Sequence, residues 1–231
     1  MNVKACSKGS SNSSLIVVQA RLKSTRLSGK TLLWLDGQTL IERVLEVCLV
    51  SVADCVVVSL PFSEGKSPLY HMVSQFTASV GRKAFVSFGE DENMVDRYSR
   101  AIDLYKSEFH TDLMPDWIVR VCSDRPLLAT QAINDLINLS PEIGYAMNHL
   151  DLDGVPNGRG AEAIGGIQWS DFLSRGLLDR HHLSAKLQQK FLRDQVRHLG
   201  VADYSSRKLV KKDIDTLDDY LRISEFLREE L

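Results

Sequence analysis

Short runs of apolar and β-branched residues, each followed by a helical pattern, recur through the first 140 residues. The runs Leu15–Gln19 (LIVVQ), DCVVVSLP, KAFVSFG and WIVRV are continuously apolar rather than alternating in polarity. A strand of that kind must be buried on both faces, which a parallel sheet covered by helices achieves. The intervening segments supply the helices. In TLIERVLEVCLV the apolar positions Leu40, Ile41, Val44, Leu45 and Cys48 follow the 3.6-residue period, and Thr39 stands where it can cap. A helix is expected from about Pro68, because proline suits a first-turn position. Others are expected over ENMVDRYSRAIDLYKSE and over Thr130–Ser140. In such a sheet ligands collect beyond the carboxyl ends of the strands.

From Ile143 the pattern loosens. GYAMNHLDLDGVPNGRGAEAIGG is rich in Gly and Asp, with a hairpin turn expected around Asp153-Gly154. WSDFLSRGLL and HHLSAKLQQKFLRDQ read as helices, Ser206–Val210 as a short strand, and LDDYLRISEFLREEL as a final amphipathic helix. We read residues 1–14, rich in Ser and Gly, as a mobile tail and 15–231 as one domain, with the region around 145–175 as an insertion or subregion. The formal net charge of -2 argues against a broad nucleic-acid-binding face. No run reaches the roughly 18 apolar residues of a membrane span, so no membrane insertion is expected. Cys6, Cys48, Cys55 and Cys122 show no CxxC or His-Cys spacing and read as free thiols in a reducing, cytoplasmic setting.

Three features can carry chemistry. The first strand runs into QARLKSTRLSGKTL, which gathers Arg21, Lys23, Arg26 and Lys30 with Ser24, Ser28 and Gly29. The loop reads either as a solvated basic turn or as an anion cradle, in which arginine forks and backbone N–H groups hold phosphate. It is not a Walker A loop, since RLSGKT lacks the leading glycine. Asp124, in WIVRVCSDRPLL, sits immediately past a strand: a Mg²⁺ ligand if a triphosphate is nearby, or the brace of a turn. In KKDIDTLDDY, Asp215 is the better candidate for a second metal carboxylate, because Thr216 can cap the last helix while Asp218 and Asp219 favour its N-terminus. Capping remains the alternative for all four acids of the segment, Asp213, Asp215, Asp218 and Asp219. Asp91, Glu92 and Asp96 precede or open a helix, where dipole compensation would explain them. Arg159 and Glu162 lie in a glycine-rich stretch that suits a substrate loop or a turn. The adjacent His181 and His182 lack the spacing of a zinc motif.

Taken together, VVQARLKSTRLSGKTL, TLIERVLEV, GEDENMVDRYSRA, VRVCSDRPLL, PNGRGAEAI, HHLS and DIDTLDDYLRI resemble the cytidylyltransferase-like family. That family includes the spore coat polysaccharide biosynthesis protein SpsF and relatives of acylneuraminate and CMP-KDO synthetases. The resemblance spans nearly everything from Leu15 onward. It implies a three-layer Rossmann-like nucleotide-diphospho-sugar transferase fold, a mainly parallel sheet with helices on both faces. It also implies an enzyme that joins CTP, or another nucleotide, to a sugar-acid or sugar-phosphate acceptor, often as a homodimer. By the same resemblance Arg21, Ser24, Arg26, Gly29 and Lys30 hold the nucleotide phosphates, with Asp96 and Arg97 on the nucleotide-facing side. Asp124 and Asp215 bind Mg²⁺, and Asn157, Gly158, Glu162 and His182 lie toward the acceptor. Arg21, Lys30 and Asp124 are the implied catalytic groups. The chain departs from the family pattern in Ser28, which stands where proline is usual, in CSDRP for TGDCP, and in Arg159-Gly160 within the acceptor motif.

Overall fold

The computed structural model describes residues 12–148, 160–180, 197–198 and 213–229. Among the described residues, nine strands fall into two sheets. The main sheet takes β1 (Ser14–Gln19), β4 (Cys55–Pro61), β5 (Ala84–Gly89), β6 (Trp117–Cys122), β7 (Tyr145–Met147), β8 (Glu162–Gly165) and β9 (Arg197–His198), in the order β5-β4-β1-β6-β8-β7-β9. The four continuously apolar runs form the parallel half, β5-β4-β1-β6. Beyond it β8 runs antiparallel to both β6 and β7, so the sheet is mainly rather than wholly parallel. In register, Gln19 at the end of β1 lies opposite Cys122 at the end of β6 and Ser59 near the end of β4, which brings the ends of β1 and β6 level at one edge.

Helices cover both faces, giving three layers. Ile16, Val18, Val56 and Val119 pack with Ile41 and Val44 of α1 (Leu40–Val50), Leu69 and Val73 of α2 (Pro68–Val80), and Ile133 of α4 (Thr130–Ile137). Leu15, Val17 and Val57, one position out of step, face the other way. They meet Tyr98, Ala101 and Ile102 of α3 (Met94–Glu108) and Trp169 of α5 (Gly166–Ser174). Burial of each such aliphatic side chain contributes roughly 1.5–3 kcal/mol. The two-sided burial inferred from the non-alternating runs is therefore what the strands show.

The local signals act as expected. Thr39 and Glu42 form a reciprocal capping box on α1, and Pro68 opens α2 behind the Ser67 cap. Thr39→Ala should cost about 1 kcal/mol, read as a lowered midpoint in urea; an unchanged midpoint would show that the buried cap is energetically idle.

Several boundaries differ from the sequence expectation: the helix expected over Thr130–Ser140 ends at Ile137, and the one expected in WSDFLSRGLL starts earlier, at Gly166. The first strand starts one residue before Leu15: Ser14 opens β1, and the Asn12 side chain donates to Ile137 O and Leu139 O, both at 2.7 Å. Of the stretch around 145–175, the described residues supply β7 and β8 to the main sheet and α5 to one face. The turn at Asp153-Gly154, the helix in HHLSAKLQQKFLRDQ and the strand at 206–210 lie outside the described residues. Among the described residues no helix is long and apolar enough to cross a membrane, and Cys48, Cys55 and Cys122 are free thiols.

A small third cluster positions the end of the chain. The hairpin β2 (Trp34–Leu35) and β3 (Gln38–Thr39) turns through Asp36 and Gly37, whose φ angles of 52° and 82° are those of a tight two-residue turn. Leu35 and Leu40 pack with Ile214 and with Ile223 of α6 (Leu217–Glu229), and Tyr220 Oη donates to Trp34 O at 2.6 Å. The C-terminal segment is thereby fastened beside the basic loop.

Candidate active site

A cleft of about 580 Å³ opens where β1 and β6 end, lined by the loops that follow them and by residues of α3 and the C-terminal segment. The basic loop is a closed turn. Gly29 N donates to Leu22 O at 2.8 Å, and Leu22 N donates to Oε1 of the buried Glu64 at 2.7 Å. Gly29 adopts φ +71°, a left-handed conformation natural to glycine, and starts the short 3-10 turn Lys30–Leu32. Arg21, Ser24, Arg26 and Lys30 line the cleft; Gly29 shapes the loop instead, and Lys23 is exposed.

Of the loop's four cations Lys30 is the most buried. Its ammonium donates to Asp124 Oδ2 at 2.6 Å, Ile214 O at 2.8 Å and Asp215 Oδ1 at 3.0 Å, and Arg26 reaches the same Asp215 oxygen at 2.8 Å. Burial alone would pull the Lys30 amine down; the Asp124 and Asp215 carboxylates outweigh it and hold the amine above its ordinary value. Four of the residues singled out in the sequence thus meet at one point. Ile214 N donates to Asp124 O at 3.0 Å, which stitches the C-terminal segment onto the turn after β6.

The helix-capping alternative for Asp215 is resolved by its neighbours. Asp219 Oδ2 accepts from Thr216 N at 2.9 Å and Thr216 Oγ1 accepts from Asp219 N at 3.2 Å, so these two cap α6. The Asp215 carboxylate is left to the cleft. Asp213 pairs with the buried Arg125 at 3.3 Å, and Arg125 also donates to Gly160 O at 2.7 Å.

Asp124 and Asp215 converging on one cation form a donor set that suits a divalent metal: two carboxylates, with the remaining positions left to water and phosphate oxygens. Among the described residues no group of three or more His, Cys, Asp or Glu side chains is placed to hold a metal ion.

Other residues occupy places the sequence did not disclose. Asp96 is absent from the cleft wall; its Oδ2 accepts from Glu90 N at 2.8 Å, and both of its oxygens accept from Arg100 Nε at 3.0 and 2.8 Å. Arg97 does line the cleft but is 2% exposed and donates to Ala20 O, Ser59 O and Ser59 Oγ, tying β1 to β4. Burial draws its guanidinium down to about 10. A Cβ on Gly89 would stand 2.7 Å from Asp96 Oδ2 and 2.9 Å from Arg97 Cα, so the glycine of GEDEN lets α3 start close against β5. Glu162, expected in a substrate loop or a turn, lies in β8 directly opposite Arg120 of β6. It accepts from Arg120 at 2.5 Å and from Tyr145 Oη at 3.0 Å, and is 3% exposed. Arg120 itself faces the cleft, donating also to Gln19 Oε1 at 3.3 Å and Cys122 Sγ at 3.2 Å. The signal for it was a charge inside an otherwise apolar strand, WIVRV. Asn157, Gly158 and His182 lie outside the described residues.

Known proteins match this architecture. The sequence pattern of the Cytidylyltransferase family matches residues 15–150. The chain is 25% identical over 198 residues to the 3-deoxy-manno-octulosonate cytidylyltransferase of Pseudoalteromonas translucida, covering 82% of this chain and 73% of that protein. A cytidylyltransferase structure from Leptospira borgpetersenii superposes with a TM-score of 0.69 at 20% identity, covering 95% of each chain. The structure of a CMP:2-keto-3-deoxy-manno-octonic acid synthetase complexed with CTP superposes with a TM-score of 0.64 at 15% identity, covering 95% of this chain and all of that one. At such identities the two structures speak for the fold, while the family match extends over more than half of the sequence, from the first strand past the turn that carries Asp124. The chain belongs to the cytidylyltransferase family, whose members are nucleotidyltransferases.

Proposed function

We propose that the protein is a divalent-metal-dependent cytidylyltransferase, with Mg²⁺ the expected ion, that transfers CMP from CTP to a sugar acid and releases pyrophosphate. The observation that carries this reading is the convergence of Lys30, Arg26, Asp124 and Asp215 at the carboxyl edge of the sheet. Arg21, Arg26 and Lys30, with Ser24 and the loop amides, are the groups to hold a triphosphate. The acceptor hydroxyl oxygen attacks the α-phosphorus, the bond to the bridging oxygen breaks, and pyrophosphate leaves with that electron pair while the hydroxyl proton passes to solvent. A metal on Asp124 and Asp215 supplies neutralisation of charge developing on the phosphate oxygens. The protein's own contribution is positioning and fixed positive charge rather than a covalent intermediate.

On the acceptor side, Arg120 is the cation facing the cleft, and Glu162 acts through it as a positioning residue. Asn157, Gly158 and His182 complete the proposed acceptor set. The nonulosonic and octulosonic acids are the acceptor class the reading favours. The CMP-sugar product is the kind of activated donor that surface or spore polysaccharide assembly consumes.

The test is a panel of four nucleoside triphosphates against 3-deoxy-manno-octulosonate and N-acetylneuraminate, assayed for metal-dependent pyrophosphate release. Release with CTP and a sugar acid is expected. Release of a nucleoside phosphate from a preformed nucleotide sugar, with no pyrophosphate from any triphosphate, would identify a glycosyltransferase instead.

A further inference from the structure

Lys30 has two incompatible demands on it. A lysine ammonium has three N–H donors, and in this structure three protein oxygens take them: Asp124 Oδ2 at 2.6 Å, Ile214 O at 2.8 Å and Asp215 Oδ1 at 3.0 Å. The residue is 8% exposed. To hold a phosphate, the ammonium must give up at least one of these partners, and the two carboxylates are the same groups that suit a metal.

We propose that Lys30 is a placeholder cation that holds Asp124 and Asp215 together until a divalent metal arrives with the nucleotide, and then exchanges the carboxylates for the triphosphate. The proposal rests on the metal-dependent reading above and specifies how the same site is loaded. Charge balance decides the order. Lys30 and Arg26 already neutralise Asp124 and Asp215. A bare dication entering here must expel an ammonium and leave a strongly positive site, in surroundings where like charges repel more than in water. A dication arriving on a polyanionic triphosphate brings the negative charge on which the displaced ammonium can settle. The lysine stem is long and freely rotatable, so this exchange needs no change in the backbone. Ile214 O helps to retain Lys30, and the backbone bond from Ile214 N to Asp124 O keeps the carboxylates near one another once the ammonium has gone.

The experiment uses Mn²⁺ as the probe and measures free Mn²⁺ by electron paramagnetic resonance with the full-length protein, without turnover. Wild type should bind Mn²⁺ weakly alone and markedly more tightly with CTP present, beyond the Mn²⁺ that CTP sequesters in a protein-free control. Lys30→Met should bind Mn²⁺ alone about tenfold or more tighter than wild type, because the competing charge is gone. Lys30→Met/Asp215→Asn should lose that gain. If Lys30→Met does not fold, as its melting curve would show, Lys30→Gln replaces it with the same readout. Equal or weaker Mn²⁺ binding by the folded Lys30 variant overturns the proposal. A gain in the variant, combined with no effect of CTP on wild type, would leave the placeholder role standing and count against the CTP-dependent function.

Discussion

Asp124→Asn is expected to lower kcat for pyrophosphate release on the order of 100- to 1,000-fold, while the melting temperature stays within a few degrees of wild type. Asparagine keeps the shape of the side chain and an oxygen that can still accept from Lys30, which retains Ile214 O and Asp215 as partners. What it removes is one of two negative charges available to a metal. A hard cation bound through one carboxylate is held less tightly and less well aligned with the phosphate. The loss should therefore shrink, without vanishing, as metal is raised. A kcat unchanged at saturating metal would show that Asp124 is no ligand and that its bond to Lys30 is purely structural.

The second large effect is expected in stability. Glu162→Ala removes the carboxylate opposite Arg120 and leaves a guanidinium whose side chain is 18% exposed without its ion-pair partner. Breaking a buried pair from one side costs about 3–5 kcal/mol, which corresponds to a fall of roughly 6–20 °C in Tm for a domain of this size. Tyr145 Oη loses an acceptor in the same step. Arg120→Met/Glu162→Leu removes both charges, and its melting temperature should recover most of the loss, because the penalty comes from the unpaired charge rather than from the missing bridge. The recovered double variant should still have a raised KM for the acceptor if Arg120 faces the sugar acid. Glu162→Ala melting with wild type would mean that the cross-strand pair adds nothing to the fold.

These two residues mark where sequence reasoning stopped. Asp124 was visible because a carboxylate directly after a buried strand is placed at the ligand edge of a parallel sheet. Asp215 could be preferred over its acidic neighbours because Thr216 offered a cap, and Thr216 with Asp219 does cap α6. Glu162 was legible only as a polar residue among glycines. Its partner is 42 positions away, and their meeting depends on β8 running antiparallel beside β6, a reversal that no local periodicity announces. Asp96 and Arg97 were expected on the nucleotide-facing side; of these two adjacent residues of α3, Arg97 lines the cleft, while one helical step turns Asp96 away from it. Asp96 turns to Glu90 N and Arg100, and Arg97 to the carbonyls at the ends of β1 and β4.

By itself, then, the sequence determined the central strands and the helices that cover them: the apolar runs had to be doubly covered strands, Thr39 and Pro68 had to start helices, and the basic loop had to emerge at a strand terminus. These follow from interactions within a few residues, which periodicity and capping record directly. Only the tertiary structure decided what the charges do. Lys30 meets Asp124 across 94 positions and Asp215 across 185, and the second meeting depends on the packing of Leu35 and Leu40 against Ile214 and Ile223. Side chains so far apart in the chain are brought together by apolar burial elsewhere, and burial is non-directional, so the pairing is written in the packed core rather than in any local motif.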